Sequence, residues 1–160
     1  MSTVVRLARV SDADDIAKLT NQLGYDVDAS TAAARLARIV SRHDQRFWLA
    51  EIDGRPVGWL HATIDEFVES GTYVHIAGLV VEKGHRKQGV GTTLLDKAEG
   101  WARDEGYSVV RLHSSAHRTA SHRFYERRGY TNIKTQYSFA KQFGSPRDRD
   151  LRRFVPRVDQ

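Results

Sequence analysis

A mixed α/β sheet with helices on both faces is the fold class that this chain of 160 residues predicts. Three observations carry that reading. Two helical patterns come first, then apolar runs joined by a tight turn, then an alternation of strand, helix, strand and helix. No internal repeat and no linker divides the sequence, whose length suits one domain with a real core.

In chain order, Ser11 or Asp12 can cap a first helix that runs to about Leu23 and is ended by Gly24. Between Thr31 and Arg42, Ala34, Leu36, Ala37, Ile39 and Val40 suit a second helix better than a strand. Phe47 to Ile52 and Pro56 to Ile64 are strand-like, and Asp53-Gly54 between them is a strong hairpin signal. Tyr73 to Val81, rich in β-branched and aliphatic residues, is a third strand. Val90, Leu94, Leu95, Ala98, Trp101 and Ala102 follow helical spacing, and Gly106 stops that helix. Tyr107 to Leu112 reads as a strand, Thr119 to Arg128 as a helix, and Asn132 to Lys141 as a final hairpin or strand pair. Gly144 onward, with Gly-Ser-Pro and alternating charge, reads as a tail, so the expected division is a domain over 1–143 and a basic tail over 144–160.

Composition removes several function classes. The absence of cysteine excludes disulfides, thiolate metal sites and cysteine catalysis. No leader peptide is expected, since Met1-Ser2-Thr3-Val4-Val5-Arg6 leads straight into the fold, and no apolar run approaches membrane-spanning length. A cytoplasmic location is expected. The net charge of +5 suits a polyanionic ligand without identifying it. His113, His117 and His122 lack the i,i+4 spacing of a zinc pair, so no metal is expected. Arg147, Arg149, Arg152, Arg153 and Arg157 alternate with Asp148 and Asp150 and lack interleaved aromatics, which argues against nucleic acid.

The most informative segment runs from Gly78 to Leu95. An apolar strand enters the basic turn Glu82-Lys83-Gly84-His85-Arg86-Lys87-Gln88-Gly89-Val90-Gly91-Thr92, which opens an amphipathic helix. The first amides of a helix have no partner inside it, and the macrodipole adds partial positive charge there. Gly89 and Gly91 let a bulky anion approach the backbone, and Arg86 and Lys87 add formal charge. The segment is suited to a di- or polyphosphate. It is not a P-loop, because Gly89 is followed by Val90 and Gly91 rather than Lys-Ser/Thr. Nor is it the dinucleotide fingerprint, because Leu94 stands where a third glycine is needed.

The remaining pattern, Arg86-x-x-Gly89-x-Gly91 after a strand, resembles the pyrophosphate loop of the GNAT superfamily of N-acetyltransferases, which cradles acyl-coenzyme A. Ala120-Ser121-His122-Arg123-Phe124-Tyr125-Glu126-Arg127-Arg128-Gly129-Tyr130 is similar to the superfamily's later signature, and Val5 to Ile16 resembles its opening strand and capped helix. The resemblance covers about residues 3–141. It implies a GNAT fold, in which the strand over Tyr73 to Val81 runs parallel to the strand over Tyr107 to Leu112 and splays from it. The pantetheine arm of acetyl-CoA would enter that wedge, so Leu79, Val80, Val81, Arg86, Lys87, Gln88, Gly89, Val90, Gly91 and Thr92 are the expected cofactor-binding residues. The family's signature often has Asn three residues before its helix alanine; here His117 stands there and lacks an amide's paired donor and acceptor, with Arg118 or His122 available to compensate.

The implied activity is acetyl transfer to a primary amine of a small molecule by direct attack on the thioester. A protein N-terminus or lysine is the rival acceptor, and a non-catalytic acyl-CoA-binding module the rival class. A small-molecule amine is thus the expected partner, with neither nucleic acid nor membrane; a homodimer is left open. An alkyl amine is mostly protonated at neutral pH, so a base near the working pH is useful. The family often places a glutamate 11 residues before the start of the motif, and that register falls on His75. Imidazole, with an ordinary pKa of about 6.5, can serve there. The other readings leave His75 as a sheet residue, with water or Glu51, Asp65, Glu66 or Glu69 in its place, those carboxylates alternatively binding a cationic substrate. His61 can face either core or acceptor. Tyr125 is, by resemblance, the donor to the leaving thiolate; its other reading is a core aromatic.

Overall fold

The computed structural model describes residues 2–144 and Phe154. Its chain divides after Leu112 into two units.

The first unit is built on five strands: β1 (Thr3–Leu7), β2 (Gln45–Ile52), β3 (Arg55–Phe67), β4 (Gly71–Val81) and β5 (Val110–Leu112), arranged in the order β1-β2-β3-β4-β5. The first four pair antiparallel, and β4 and β5 pair parallel. Three helices belong to it: α1 (Ala13–Asn21), α2 (Ala29–Val40) and α3 (Val90–Asp104). Asp28 caps α2, its side chain accepting the Thr31 amide at 2.7 Å. Between β2 and β3, Asp53 and Gly54 have φ of 52° and 75°, the left-handed pair that a two-residue type I′ hairpin turn requires.

Strand alternation sorts the core onto two faces. Phe47, Leu49 and Val80 face Ile16 and Leu19 of α1 and Leu36 of α2, with Trp59 packed beside them. On the opposite face Trp48 meets Trp101 of α3 edge to face at 5.9 Å. Leu94, Leu95 and Ala98 of the same helix are wholly buried. Gly58 lets α3 lie this close: a Cβ there would stand 2.7 Å from the Val80 carbonyl oxygen and 3.3 Å from Val90 Cγ1. The first turn of α3, and hence the loop before it, is seated on that bare strand position.

Two features shape the sheet near β5. Its pairing with β4 is confined to Val74–Val110, His75–Arg111 and Ile76–Leu112. On the other edge of β4, His61 pairs with Gly78 and Ala62 with Ile76, so Ala77 is an extra residue in β4. That β-bulge falls where the parallel pairing stops, and bulges turn a strand's groups in new directions. From Ala77 to Val81, β4 has no partner strand on the β5 side among the described residues.

β5 starts at Val110 rather than Tyr107, because the preceding residues are used to end α3. With Gly106 at φ 84°, its amide bonds Arg103 O at 3.0 Å and the Tyr107 amide bonds Ala102 O at 2.8 Å, a Schellman stop.

The second unit holds α4 (Thr119–Arg127), ended in the same way. Gly129 has φ 87°, its amide bonds Glu126 O, and the Tyr130 amide bonds Tyr125 O. The Tyr125 and Tyr130 rings meet edge to face at 5.9 Å across that stop. The strand pair expected over Asn132 to Lys141 is absent: these residues form neither helix nor strand, and Tyr137 and Phe139 are 90% and 91% exposed. Their sequence alternates as a strand's does, but a strand needs a partner and a packed face, and the described residues supply neither. Apart from Gly144 and Phe154, the tail expected over 144–160 lies outside the described residues.

Placing a methyl group at Gly58 should unseat α3. Gly58→Ala is expected to lose about 1–3 kcal/mol of stability in urea unfolding; an unchanged midpoint would contradict the close seat.

Candidate active site

The loop between β4 and α3 contains a short 3₁₀ turn, Lys83–His85, followed by an extended Arg86. Lys87 and Gly89 then have φ of 63° and 83°. A lysine in the left-handed region costs about 1–2 kcal/mol, a cost usually found where backbone amides must point in a particular direction. Alternation of left-handed and ordinary backbone turns successive amides to one side and makes an anion-holding concavity. The first bond of α3 is from the Thr93 amide to Gly89 O at 3.0 Å. The amides of Val90, Gly91 and Thr92, ahead of it, have no helical acceptor. A Cβ on Gly89 would meet nothing within 4 Å, so the space before this turn is open.

Side chains brace the loop. Arg86 Nε donates to Val81 O at 3.2 Å, and Gln88 Nε2 donates to Gly84 O at 3.2 Å. Glu82 lies between Arg55 Nη2 at 2.8 Å and His85 Nδ1 at 2.6 Å, which offsets the one carboxylate at the base of a basic turn. A cleft of about 490 Å³ opens beside this base, lined by Gln22, Arg55, Glu82, Lys83, Gly84 and His85. Leu79, Val80 and Val81 close β4. Val80 is only 2% exposed and packs in the core, so Val80 can meet a ligand through its backbone alone.

The other polar group lies toward the far end of the same two strands. Thr63 is the register partner of His75, and Asp65 that of Tyr73. Asp65 Oδ2 is 3.2 Å from His75 Nδ1, while Thr63 Oγ1 donates to Asp65 Oδ1 at 2.6 Å. Next to them His61 Nε2 hydrogen-bonds Gln45 Oε1 at 2.8 Å and stacks on Phe47. Burial first, then the nearby His75, pushes the His61 pKa down to about 4. His61 is therefore neutral at pH 7 and a poor proton acceptor. Arg111, paired with His75 from β5, lays its guanidinium 4.7 Å over the Tyr73 ring, which stacks on Phe67.

The remaining carboxylates are placed differently. Glu51 accepts both Nε and Nη2 of Arg6, whose guanidinium also grips Asp12 in two bonds. Those bonds hold the Asp12 carboxyl below its usual range. Glu51 thus ties β2 to β1 and to the turn before α1. Glu66, near the end of β3, accepts from Thr72 at 3.4 Å, and Glu69 lies in the turn after it.

In the second unit Tyr125 is partly buried on α4 against Phe124 and Tyr130. Burial raises its phenol pKa, against a smaller opposite effect from Arg118, so the hydroxyl keeps its proton at neutral pH. His117 is exposed and its carbonyl accepts the Thr119 amide, while His122 Nε2 contacts Ser115 O at 2.9 Å. Among the described residues no group of three or more His, Asp and Glu is placed to hold a metal ion, and no helix is long and apolar enough to cross a membrane.

The family model for the acetyltransferase (GNAT) family matches residues 13–130. The chain belongs to the GNAT acetyltransferase family. An uncharacterised N-acetyltransferase of Chlorobaculum tepidum is 27% identical over 135 residues, 84% of this chain and 79% of its own length. One from Methanocaldococcus jannaschii is 27% identical over 94 residues, 58% of this chain and only 42% of the archaeal protein. Among solved structures, AAC(6')-Iy with a CoA-linked acetylneamine analogue superposes with TM-score 0.79 at 19% identity, over 89% of this chain and all (100%) of the other. At that identity the likeness shows the fold, a mixed sheet with flanking helices.

Within the GNAT domain, the sequence singles out His75 but marks Asp65 as its substitute or as a binder of a cationic substrate, not as its partner. The signal for their pairing was present: Thr63 and Asp65 share a face, and a hairpin turning between Phe67 and Gly71 places both beside His75. Gln45 and Arg111 carried no such mark.

Two outcomes are expected. Gly89→Val combines backbone strain with a side chain in the open space before the turn, and should abolish acetyl-CoA binding by calorimetry while the chain remains folded. Undiminished affinity would contradict the cradle. Because His61 is neutral when folded yet takes a proton below about pH 6.5 when unfolded, the unfolded state binds more protons there. Stability is thus full above pH 6.5 and falls toward pH 4, by about 2–3 kcal/mol at pH 4.5. His61→Gln should lose less over this interval in urea unfolding; parallel profiles would contradict the burial of His61.

Proposed function

We propose that this chain transfers the acetyl group of acetyl-CoA to a primary amine of a small molecule. The observation that carries the reading is the loop geometry: left-handed Lys87 and Gly89, followed by the leading amides of α3, which have no helical acceptor, and an open approach. That set of donors fits a pyrophosphate, with Arg86 and Lys87 adding charge at its rim. A nucleotide would leave no use for the bare edge of β4 beyond the bulge, whereas an extended amide-bearing arm can bond to the backbone of Leu79 to Val81. Acetyl-CoA, when bound, supplies the acetyl group as an activated thioester.

The protein's own groups then divide the work. His75 takes the proton that the amine gives up as its nitrogen bonds to the acetyl carbon. His61 cannot take this role, because burial has weakened its basicity, and Glu51 is committed to Arg6. Tyr125, still protonated at neutral pH, donates to the sulfur as negative charge develops there. His117, without an amide's paired groups, offers one hydrogen bond to the cofactor. The working domain on this reading is 1–143, with 144–160 as its tail. The fold shared with an aminoglycoside N-acetyltransferase solved with CoA supports a small-molecule acceptor.

The test is acetyl-CoA turnover, followed by free thiol, with kanamycin, spermidine, glucosamine 6-phosphate, 2-aminoethylphosphonate and lysine-bearing peptides. Turnover with at least one small amine, and more slowly with peptides, is expected. Peptides alone as substrates, or binding without turnover, would overturn the reading. On the fastest amine, Tyr125→Phe should lower kcat about 10²- to 10³-fold with little change in acetyl-CoA affinity. An equal kcat would leave Tyr125 as packing for the helix stop.

A further inference from the structure

The contact between Asp65 and His75 has a consequence for which nitrogen of the imidazole carries the proton. A neutral imidazole has one donor and one acceptor nitrogen, and its function as a base depends on which nitrogen faces the amine. The Asp65 Oδ2 atom lies 3.2 Å from Nδ1, and a carboxylate can only accept. The charge of the Asp65 carboxylate beside Nδ1 therefore favours the proton of neutral His75 there, which puts the lone pair on Nε2. Asp65 in turn is not left to rotate: Thr63 Oγ1 donates to its other oxygen at 2.6 Å. All three residues lie on antiparallel strands in fixed register, and both members of the ion pair are about a quarter exposed, with side-chain exposures of 23% and 28%. That is dry enough for direction to matter and open enough for a substrate to arrive.

We infer that Asp65, held by Thr63, is the positioning residue of His75, fixing its Nδ1–H tautomer and presenting Nε2 to the acceptor amine. The inference deepens the proposed function and rests on His75 being its base. A surface ion pair that merely braces the end of a hairpin would not choose a tautomer, so the tautomer distinguishes the two roles. The groups that face His75 include Thr63, Asp65 and the neutral His61 from β3, Tyr73 from its own strand, and Arg111 from β5. Among these, Asp65 is the group that draws a proton to Nδ1, while Arg111 has the Tyr73 ring beneath its guanidinium.

The decisive measurement needs no substrate. Long-range ¹H–¹⁵N spectra of the labelled full chain at pH 8, with the His75 signals assigned from His75→Gln, read the tautomer directly. In the wild type His75 should show a protonated Nδ1 and an unprotonated Nε2. In Asp65→Asn the pattern should swing toward protonated Nε2, the form imidazole prefers in water, and Thr63→Val should move it part of the way. If Asp65→Asn fails to fold, Thr63→Val decides alone. A wild-type His75 protonated on Nε2, or an unchanged pattern in the variant that folds, overturns the inference. With the fastest amine of the panel, Asp65→Asn should also lower kcat roughly 10- to 100-fold with KM for acetyl-CoA unchanged. A matching tautomer change with full kcat would refute a positioning role in the reaction. Absence of turnover with every amine in the wild type would instead refute His75 as a base, leaving the spectra to decide what Asp65 does.

Discussion

The first turn of α3 lies against a strand position that has no side chain, and the geometry of the loop depends on that approach. Gly58 admits Val90 and Leu94 to the sheet surface, and both of those residues are buried there. With the helix start pinned, the chain between Val81 and Val90 must turn back over a short distance, through left-handed backbone at Lys87 and Gly89. The leading amides of α3, like those of any helix, have no acceptor within it, and the space beside Gly89 is open. Tight packing thus fixes one side of the turn, and the helix-start donors on the other side suit it to an anion.

A second device acts at the middle of β4. The extra residue Ala77 and the end of the β5 pairing fall together, so one strand changes role along its length. Before the bulge β4 is an interior strand, and His75 is held by neighbours on both sides. Beyond it the strand has a bare edge on the β5 side, which leads directly to the loop. His75 and the approach to the basic loop are therefore both carried by β4, while Asp65 and Thr63 face His75 from β3. Beside His75, His61 is held neutral by its burial and hydrogen-bonds Gln45, which makes it a poor proton acceptor at neutral pH.

Much of this was legible in the residues. Asp53-Gly54 announces a hairpin because few other pairs accept two left-handed residues in succession, and Gly106 announces the end of α3 for the same reason. The loop could be read because glycine spacing, basic residues and the following apolar periodicity are all local. Left-handed Lys87 could not be read, since nothing about lysine favours that conformation. The start of β5 was misplaced because Tyr107 looks like a strand residue, while its amide is spent on the helix stop. Over Asn132 to Lys141 alternation suggested strands, but pairing is a tertiary property that a pattern cannot supply. The Glu-x-x-Gly-Tyr portion of the later signature proves to be a helix stop in which Gly129 and Tyr130 close over Tyr125. The partnership of Asp65 with His75 needed the hairpin register, which sequence gives only once the turn is fixed.

On the proposed reading, the backbone between Lys87 and Thr92 holds a pyrophosphate and so places the acetyl donor. Calorimetric comparison of acetyl-CoA with acetyl-pantetheine, which keeps the thioester arm but lacks pyrophosphate and nucleotide, tests it most directly. Acetyl-CoA should bind on the order of 100-fold or more tightly, because several charge-assisted bonds are lost with the pyrophosphate. Equal affinity for the two compounds would contradict it.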